Sequence, residues 1–308
     1  MAREIPTNWV TSISSMKPET AARLSAVVPI TNYFQHKENI EKIIHDASSM
    51  DIELILVLDQ ESNQAFENLT ALLKMSKGLG LVIPSDSGNP GGARNAGLVC
   101  ATAEWVTFWD CDDEPQIFEI LKLITSSKRF DNQVLLGSYQ IKSMKDESLN
   151  SRIIDKNDWK IDVGLNPGIW RFVFRRDLVN DIRFPEARMG EDQIFLQRVF
   201  TKEPEVFLSQ IVTYIYRINV PNQLTGQRLN LKDLVNVNKV AIREYNPKTR
   251  YSKILRTMII RQLLTLAQNK SIGRLERLSY LAKALILLVS HPTILIKLFM
   301  LILERFSK

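Results

Sequence analysis

The sequence predicts an α/β fold with a mixed, mostly parallel sheet, helices on both faces, and a C-terminal extension that is entirely helical. Short apolar runs alternate with segments of helical periodicity from Leu24 to Trp109. Acidic residues follow two of these runs directly, at Asp59 and Asp110. Beyond about Asn230 only helical patterns remain. Regular alternation of strand and helix is typical of parallel crossovers.

Four strands and three helices account for the first part of the chain. Ligands bind such sheets at the carboxyl ends of the strands, which is where we expect Asp59 and the acids after Trp109 to lie. The predicted strands cover residues 24–30, 53–58, 80–83 and 105–109, and the predicted helices cover residues 37–47, 63–74 and 91–102.

The second part of the chain lacks this regular alternation, so we expect it to shape the acceptor side of a cleft. We predict strands over 134–142, 168–174 and 211–217, and a helix over 191–200. The predicted domains are an N-terminal extension over 1–22, a catalytic domain over 23–228 and a basic amphipathic helical extension over 229–308.

Charge is distributed unevenly along the 308 residues, whose net charge is +6. Residues 251–308 hold ten Lys/Arg and two Glu, so this tail carries +8 and the preceding body −2. Basic residues separated by long apolar stretches favour an anionic membrane surface over nucleic acid, for which interleaved aromatic residues are missing. We therefore expect the C-terminal helices to bind membrane and expect no nucleic acid partner.

The apolar segment from Leu281 to Leu303 is interrupted by Lys283, His291, Pro292 and Lys297. A spanning helix needs about 20 apolar residues, and a proline in mid-run kinks or breaks it. Two short helices in the membrane interface are therefore expected. The alternative is that these helices pack on the body or on a second subunit.

Cysteine usage and the first residues favour a peripheral protein on the cytoplasmic, inner face of the membrane. Cys100 and Cys111 are the only cysteines, which is too few for a disulfide framework. The start M-A-R-E-I-P-T-N-W-V lacks the basic and continuous apolar regions of a secretory signal.

A cluster of acids follows the fourth predicted strand, in the run E-W-V-T-F-W-D-C-D-D-E-P. Asp110, Asp112 and Asp113 repel one another, and a divalent cation, alone or with a nucleotide diphosphate, accommodates their charge best. The alternative is a solvated turn that caps the following helix.

Two further segments place polar groups at helix starts. Gly91 and Gly92 open a helix that carries Arg94 and Asn95, an arrangement suited to a phosphate, although a simple turn before a packed helix has the same pattern. The Glu191-Asp192 pair also begins a helix, where carboxylates serve as a base or only cap exposed N–H groups.

Five strings in one order resemble the family 2 glycosyltransferases with the Rossmann-like GT-A fold, over residues 24–225. The resemblance implies transfer of a sugar from a nucleotide-diphosphate sugar to an acceptor hydroxyl, with inversion and with Mn or Mg as cofactor. The strings are V-V-P-I-T-N, L-I-L-V-L-D, G-N-P-G-G-A-R-N-A-G-L, F-W-D-C-D-D and G-E-D-Q-I-F.

Donor-binding roles follow from this resemblance. Asp59 corresponds to the acid that binds the base of the donor, and a carboxylate suits the N3–H of uracil, so a UDP-sugar is favoured. The family usually has two consecutive acids at this turn, whereas this chain has Leu58, Asp59 and Gln60. The other expected donor-binding residues are Pro29, Thr31 and Asn32 at the nucleoside, and Gly92, Arg94, Asn95 and Arg217 around the diphosphate.

Catalytic and metal-binding roles follow in the same way. Asp112 of the DXD motif is the expected metal ligand, with Asp110 at the ribose or supporting the metal site and Asp113 as an orienting acid. Asp192 is the expected general base, with Glu191 as the second choice. Trp170 is expected to stack on the acceptor sugar, unless it is an ordinary core tryptophan.

The resulting hypothesis is a glycosyltransferase of cell-surface polysaccharide or lipopolysaccharide synthesis, with a glycan or lipid-linked acceptor. Two alternatives remain. One is a sugar nucleotidyltransferase, which predicts a glycine-rich loop after the first strand, where Ile30-Thr31-Asn32-Tyr33 has no glycine. The other is a catalytically silent scaffold protein.

Overall fold

A computed structural model describes residues 23–50, 52–76, 78–127, 131–221 and 231–289. The predicted N-terminal extension, the turn from Asn222 to Thr225 and the segment after Val289 lie outside the described residues. A nine-stranded sheet runs through the protein in the order β3-β2-β1-β4-β8-β6-β9-β5, and β7 pairs with β6 at the side. The strands are β1 Leu24–Ile30, β2 Ile52–Asp59, β3 Leu79–Ser85, β4 Trp105–Phe108, β5 Glu114–Pro115, β6 Val134–Ser143, β7 Leu149–Arg152, β8 Phe172–Arg175 and β9 Val206–Ile218.

Helices cover both faces of this sheet, as predicted. One face packs α1, α2 and α4 on the side chains of Leu24, Val28 and Ile30, and the other packs α3, α7 and α9 on the side that includes Val27 and Phe108. The helices are α1 Tyr33–Ser48, α2 Asn63–Met75, α3 Pro90–Cys100, α4 Ile117–Ser127, α5 Trp159–Leu165, α6 Arg176–Val179, α7 Glu191–Thr201, α8 Leu231–Arg243, α9 Ser252–Gln268 and α10 Arg274–Val289.

The first half of the sheet is parallel, which confirms the predicted crossovers. β1 pairs in parallel with β2 and with β4, with Ile30 opposite Leu58 and Val27 opposite Phe108. Strands buried on both faces read as continuous apolar runs, and every residue of β2 is buried. Because β1, β2 and β4 run in the same direction, the residues that follow them meet at one edge of the sheet.

The second half is mixed, and one of its strands is shorter than predicted. β8 pairs antiparallel with β4 and β6, whereas β6 and β9 are parallel. Residues 168–174 were predicted as one strand, but a 3₁₀ turn covers Ile169–Arg171 before β8 begins. A Cβ on Gly168 would stand 2.6 Å from the Trp170 ring, so the ring packs where glycine alone leaves space. Apolar periodicity does not reveal that contact.

The C-terminal helices pack on the sheet domain, and they differ in how much of their surface is covered. Ile254, Leu255 and Met258 of α9 join the same apolar cluster as Phe172 and Phe200. The apolar side of α9, which belongs to the extension expected to bind membrane, is therefore largely covered by protein. By contrast, α10 buries only a narrow stripe, made of Tyr280, Ala284 and Leu288. Among the described residues, no helix is both long and apolar enough to span a bilayer.

Candidate active site

The carboxyl edge of the parallel strands gathers most of the predicted donor-binding residues. Pro29 is half-buried near the end of β1, and Thr31 and Asn32 follow as exposed residues. Asn32 has φ 55° and ψ 50°, a left-handed conformation that asparagine tolerates better than most residues. Asp59 ends β2, and Asp110 comes two residues after β4. The strand register thus brings to one edge residues as far apart in the sequence as Pro29 and Asp110.

Asp59 is buried and held in one orientation by Ser87. Its Oδ1 accepts hydrogen bonds from the backbone N–H and from the hydroxyl of Ser87, both at 2.8 Å. Gln60, next in the chain, lines a cleft of about 340 Å³ together with Ser87 and Gly88. A carboxylate fixed in this way is prepared to accept one further hydrogen bond at a defined position.

The acidic loop Asp110–Asp113 is anchored from two sides. Asn39 of α1 donates through Nδ2 to the carbonyls of Cys111 at 2.9 Å and Asp113 at 2.7 Å. On the other side, the backbone N–H of Asp110 donates to the hydroxyl of Tyr214 in β9 at 3.0 Å. These bonds fix the loop before any ligand arrives.

Arg217 lies at this loop, but its side chain binds protein groups. Its backbone N–H donates to Asp113 Oδ1 at 2.7 Å. Its guanidinium donates to Glu114 Oε1 from Nε at 2.8 Å and from Nη2 at 2.6 Å, and to Asn39 Oδ1 at 2.9 Å. The predicted contact of Arg217 with a diphosphate would therefore require these bonds to rearrange.

The charge of the acidic loop is only partly compensated by the protein. Burial raises the pKa of Asp113 well above its ordinary value, and the charges of Asp110 and Asp112 raise it further. The Arg217 N–H and the nearby Tyr214 hydroxyl oppose this shift. Asp113 Oδ2 is buried and accepts no hydrogen bond from the described residues. A cation beside the loop would relieve this repulsion.

The donor set of the loop fits Mg or Mn. Within the described parts of the chain, no group of three or more Asp, Glu, His or Cys side chains is arranged as a complete metal site. Asp110 and Asp112 are partly exposed, whereas Asp113 is fully buried. Mg is commonly held by one or two carboxylates together with substrate phosphates, so two accessible acids suffice. The role of Asp112 as metal ligand stays a prediction, and the buried Asp113 accepts the Arg217 N–H within the loop.

Arg94 lies between the two predicted catalytic acids, Glu191 and Asp192, and Asp110 of the acidic loop. From the start of α3 its Nη1 donates to Glu191 Oε1 at 2.8 Å and to Asp192 Oδ1 at 2.9 Å, and its Nη2 donates to Asp110 Oδ1 at 2.8 Å. Burial alone lowers the pKa of Arg94, but the three carboxylates outweigh it and raise the pKa. The arginine therefore stays charged.

The pKa of Asp192 is raised from its ordinary 3.8 to about 7. Burial is the largest cause, Arg94 lowers the pKa, and Glu191 and Asp110 raise it again. Asp192 Oδ2 also accepts the backbone N–H of Ile169 at 3.3 Å. A carboxylate with a pKa near neutrality is suited to take up a proton during a reaction.

Gly92 and Asn95 make structural contacts on α3. The Gly92 N–H donates to the side chain of Asn89, which caps the helix, and a Cβ on Gly92 would stand 2.4 Å from Ser87 Cβ. Asn95 pairs with the backbone of Phe184, donating to its carbonyl at 2.9 Å and accepting its N–H at 2.8 Å. The predicted donor contacts of both residues stay predictions, beside structural roles that explain the same residue types.

Trp170 is buried in an aromatic cluster. Its ring stacks on Tyr214 at 4.6 Å and Tyr216 at 5.3 Å, and meets Tyr139 edge-on at 4.9 Å. This environment matches the alternative of a core tryptophan. The cluster includes Tyr214, whose hydroxyl anchors the acidic loop. By packing on the Tyr214 ring, Trp170 therefore supports the loop indirectly.

Four residues of the site were missed by sequence reasoning: Asn39, Ser87, Glu114 and Tyr214. Glu114 adjoins the acidic run, and Tyr214 alternates with Tyr216 in β9, so these two had a weak local signal. Asn39 and Ser87 had none, because their partners lie 72 and 28 positions away in the sequence.

Three comparisons relate this geometry to known proteins. A family model described as Glycosyl transferase family 2 matches residues 25–198, more than half of the chain. The poly(ribitol-phosphate) beta-N-acetylglucosaminyltransferase TarP of Staphylococcus aureus is 28% identical over 187 residues, which cover 56% of this chain and 56% of that protein.

Solved structures show the same architecture. S. aureus TarS 1–349 in complex with UDP-GlcNAc has a TM-score of 0.65 at 20% identity, covering 85% of this chain and 79% of that one. Mannosyltransferase PcManGT from Pyrobaculum calidifontis, in complex with GDP-Man and Mn2+, has a TM-score of 0.54 at 14% identity, covering 92% and 86%. The relatives and the family model all indicate sugar transfer. They favour neither of the two alternatives, a sugar nucleotidyltransferase and a catalytically silent scaffold. This chain belongs to glycosyl transferase family 2 and is a glycosyltransferase with a GT-A fold.

Proposed function

We propose that the protein transfers a sugar from a UDP-sugar to an acceptor hydroxyl, with inversion and with a divalent cation. The observation that carries this proposal is that one buried arginine, Arg94, bonds to both Asp192 and Asp110. This supports a base at Asp192, next to the acidic loop. In inversion the two groups act on opposite faces of the anomeric carbon, so a base and a leaving-group site must stand close together.

Asp192 is the general base in this proposal. Its side chain is 22% exposed, against 9% for Glu191, so an acceptor hydroxyl reaches Asp192 more readily. The carboxylate takes the hydroxyl proton as the oxygen bonds to the anomeric carbon and the bond to the diphosphate breaks. The pKa of about 7 suits this role at neutral pH.

The donor lies along the carboxyl edge of β1, β2 and β4. Asp59 accepts the N3–H of uracil, and Pro29, Thr31 and Asn32 line the nucleoside. The UDP-GlcNAc complex of TarS, which shares this fold, supports a uridine donor. Asp112 would hold Mn or Mg, with Asp110 beside it, and the cation would neutralise charge on the departing diphosphate. The Mn2+ complex of PcManGT supports a metal ion in this fold.

The acceptor is a glycan or a lipid-linked precursor of the cell surface. TarP, the relative at 28% identity, is by its name a transferase that acts on poly(ribitol-phosphate), which supports a polymeric acceptor. Contacts in the acceptor half, from β6 to α7, would select the hydroxyl.

The outer face of α10 supports peripheral attachment to an anionic membrane. An apolar stripe with helical spacing is exposed there. It runs from Leu275, whose surface is 85% exposed, to Val289, whose surface is 83% exposed. A contiguous exposed apolar stripe of this length on a folded protein marks an interaction site. Its members are Leu275, Leu278, Leu281, Leu285, Ile286 and Val289.

Charge selects a membrane as the partner of this stripe. Lys270, Arg274 and Lys283 are exposed in or beside α10, and the Glu276 carboxylate accepts a hydrogen bond from Tyr280. The sequence after Val289 continues with apolar residues and with Lys297 and Lys308. Long cationic side chains beside apolar ones suit an interface of acyl chains and anionic headgroups. We place the protein at the inner face, where nucleotide sugars are available.

A thermal-shift screen tests the proposed donor and metal together. UDP, UDP-GlcNAc and GDP-mannose are added separately, each with and without Mn, because a ligand that binds only the folded state raises the melting temperature. We expect the largest rise with UDP and Mn together. A rise with GDP-mannose and none with UDP or UDP-GlcNAc would overturn the uridine assignment. No rise with any of the three nucleotides would overturn the proposed function.

A further inference from the structure

Arg94 makes three charge-assisted hydrogen bonds to carboxylates from two separate segments of the chain. Asp110 belongs to the loop after β4, whereas Glu191 and Asp192 form the first turn of α7. The Arg94 side chain is only 5% exposed, and its guanidinium lies 5.6 Å from the Phe184 ring centroid. The geometry is that of a built, desolvated cluster and not of a surface ion pair.

These bonds leave little of Arg94 available to a phosphate. Nη1 serves two acceptors and Nη2 serves one, each within 2.9 Å. The remaining Nε is buried and has no acceptor among the described residues. Without displacing a carboxylate, a phosphate could reach only the second N–H of Nη2, because the Nε–H is buried. A two-pronged contact with phosphate would break one of the three bonds to carboxylates.

The neighbouring bonds show what Arg94 achieves. Asp192 Oδ1 is held by Arg94, and Oδ2 accepts the Ile169 N–H at 3.3 Å, so both oxygens have a fixed direction. Without Arg94, three carboxylates would face one another in a buried space. Their mutual repulsion would turn Asp192 away from its position or keep it protonated.

We propose that Arg94 is a positioning residue, which aligns the Asp192 carboxylate with the donor site by tying it to Asp110, and does not bind the donor diphosphate. This inference rests on the proposed function, because it assigns Asp192 the role of base. It replaces the diphosphate contact that the sequence predicted for Arg94. One guanidinium thus joins the acceptor half of the cleft to the donor half.

The test separates donor binding from turnover in the full-length protein. UDP affinity with Mn is measured by thermal shift, and turnover is measured as UDP released from UDP-GlcNAc with water as acceptor. For Arg94→Gln we expect UDP affinity within about threefold of wild type and turnover lowered by about 10- to 100-fold. We expect Arg94→Lys to recover part of the turnover, because it restores the charge without the fork geometry.

A pH profile supplies a readout that a merely structural role would not move. Asp192 must be ionised to act, and Arg94 favours its ionised form, so the acid limb of turnover should move to higher pH by about 1 unit in Arg94→Gln. Arg198→Gln is the matched control, because Arg198 makes two bonds to Glu244 at the far end of α7. We expect that control to keep both turnover and the acid limb.

Each outcome has one meaning. If Arg94→Gln loses UDP affinity as strongly as turnover and keeps the acid limb, Arg94 binds phosphate and the proposal is overturned. If Arg94→Gln does not fold, the double variant Arg94→Gln/Glu191→Gln removes one repelling carboxylate, and the same two measurements are made on it. If wild type itself shows no shift with UDP, the proposed function fails, whatever the variants do.

Discussion

The predicted catalytic edge, which is the cluster of Asp110, Asp113, Arg94, Glu191 and Asp192, and the outer face of α10 depart from the usual arrangement of a protein surface in opposite ways. At the catalytic edge, charged side chains such as Asp113, Glu191 and Arg94 are buried. On α10, large apolar side chains such as Leu275 and Ile286 are exposed. Burying charge and exposing apolar area both cost folding free energy, so each is expected where a ligand or partner recovers the cost.

The two regions also differ in how they tolerate change. The catalytic edge is a network in which each carboxylate shifts the others, so single substitutions should have large and coupled effects. The stripe on α10 has few contacts with the body, so its substitutions should alter attachment and leave the fold intact. The following predictions test this difference, beginning with the largest expected effect.

Asp192→Asn should lower UDP release from UDP-GlcNAc by about 10²- to 10⁴-fold, because it removes the general base and keeps the shape of the side chain. UDP affinity should stay near that of wild type, as measured by thermal shift. Glu191→Gln serves as the matched variant and should lose less. Equal losses in the two variants would mean that the pair acts as one unit, and a normal rate in Asp192→Asn would end its assignment as base.

Asp112→Ala should lower the Mn-dependent rate by about 100-fold, because the cation then loses its accessible ligand. The measurement is UDP release during titration with Mn after chelator treatment. Asp146→Ala is the control, since Asp146 is an exposed acid in the turn between β6 and β7. An unchanged Mn dependence in Asp112→Ala would remove this residue from the metal site.

Leu278→Asp/Leu285→Asp should lower binding to vesicles that contain anionic lipid by about tenfold or more, because two apolar contacts are lost and like charges are added. Co-sedimentation gives the bound fraction, and UDP release should not change. Phe118→Asp is the control, since Phe118 is exposed on α4, away from the stripe. The wild-type protein could instead fail to bind vesicles and form dimers that the double variant disrupts. That result would mean that the stripe binds a second copy of this chain.

Asp192→Asn should also stabilise the fold by about 1–3 kcal/mol at pH 8, and by less at pH 5. The pKa of Asp192 is about 7 in the folded protein, above its ordinary 3.8. The folded state therefore holds a proton that the unfolded chain releases, and stability falls as the pH rises through 7. Melting temperatures of both proteins at the two pH values measure this effect, and a larger gain at pH 5 would contradict the sign.

Much of the fold could be predicted because the parallel half is determined by local pattern. The predicted strand over 24–30 coincides with β1, and Asp59 ends β2 as expected. Continuous apolar runs followed by polar residues specify buried parallel strands and also the edge at which ligands bind. Asp59 and Asp110 lie at the same edge, as predicted, because each comes at or just after the end of a parallel strand.

Only the tertiary structure decided which polar groups meet. Arg94 and Asp192 lie 98 positions apart, and nothing in their local sequence favours contact with each other over a phosphate. Asn39 and Tyr214 likewise approach the acidic loop only because α1 and β9 both contact β5, the strand that follows the loop. The helical nature of the C-terminal segment was predictable from composition. Which of its faces is covered depended on the packing of α9 and α10, because amphipathic periodicity identifies an apolar face without identifying its partner.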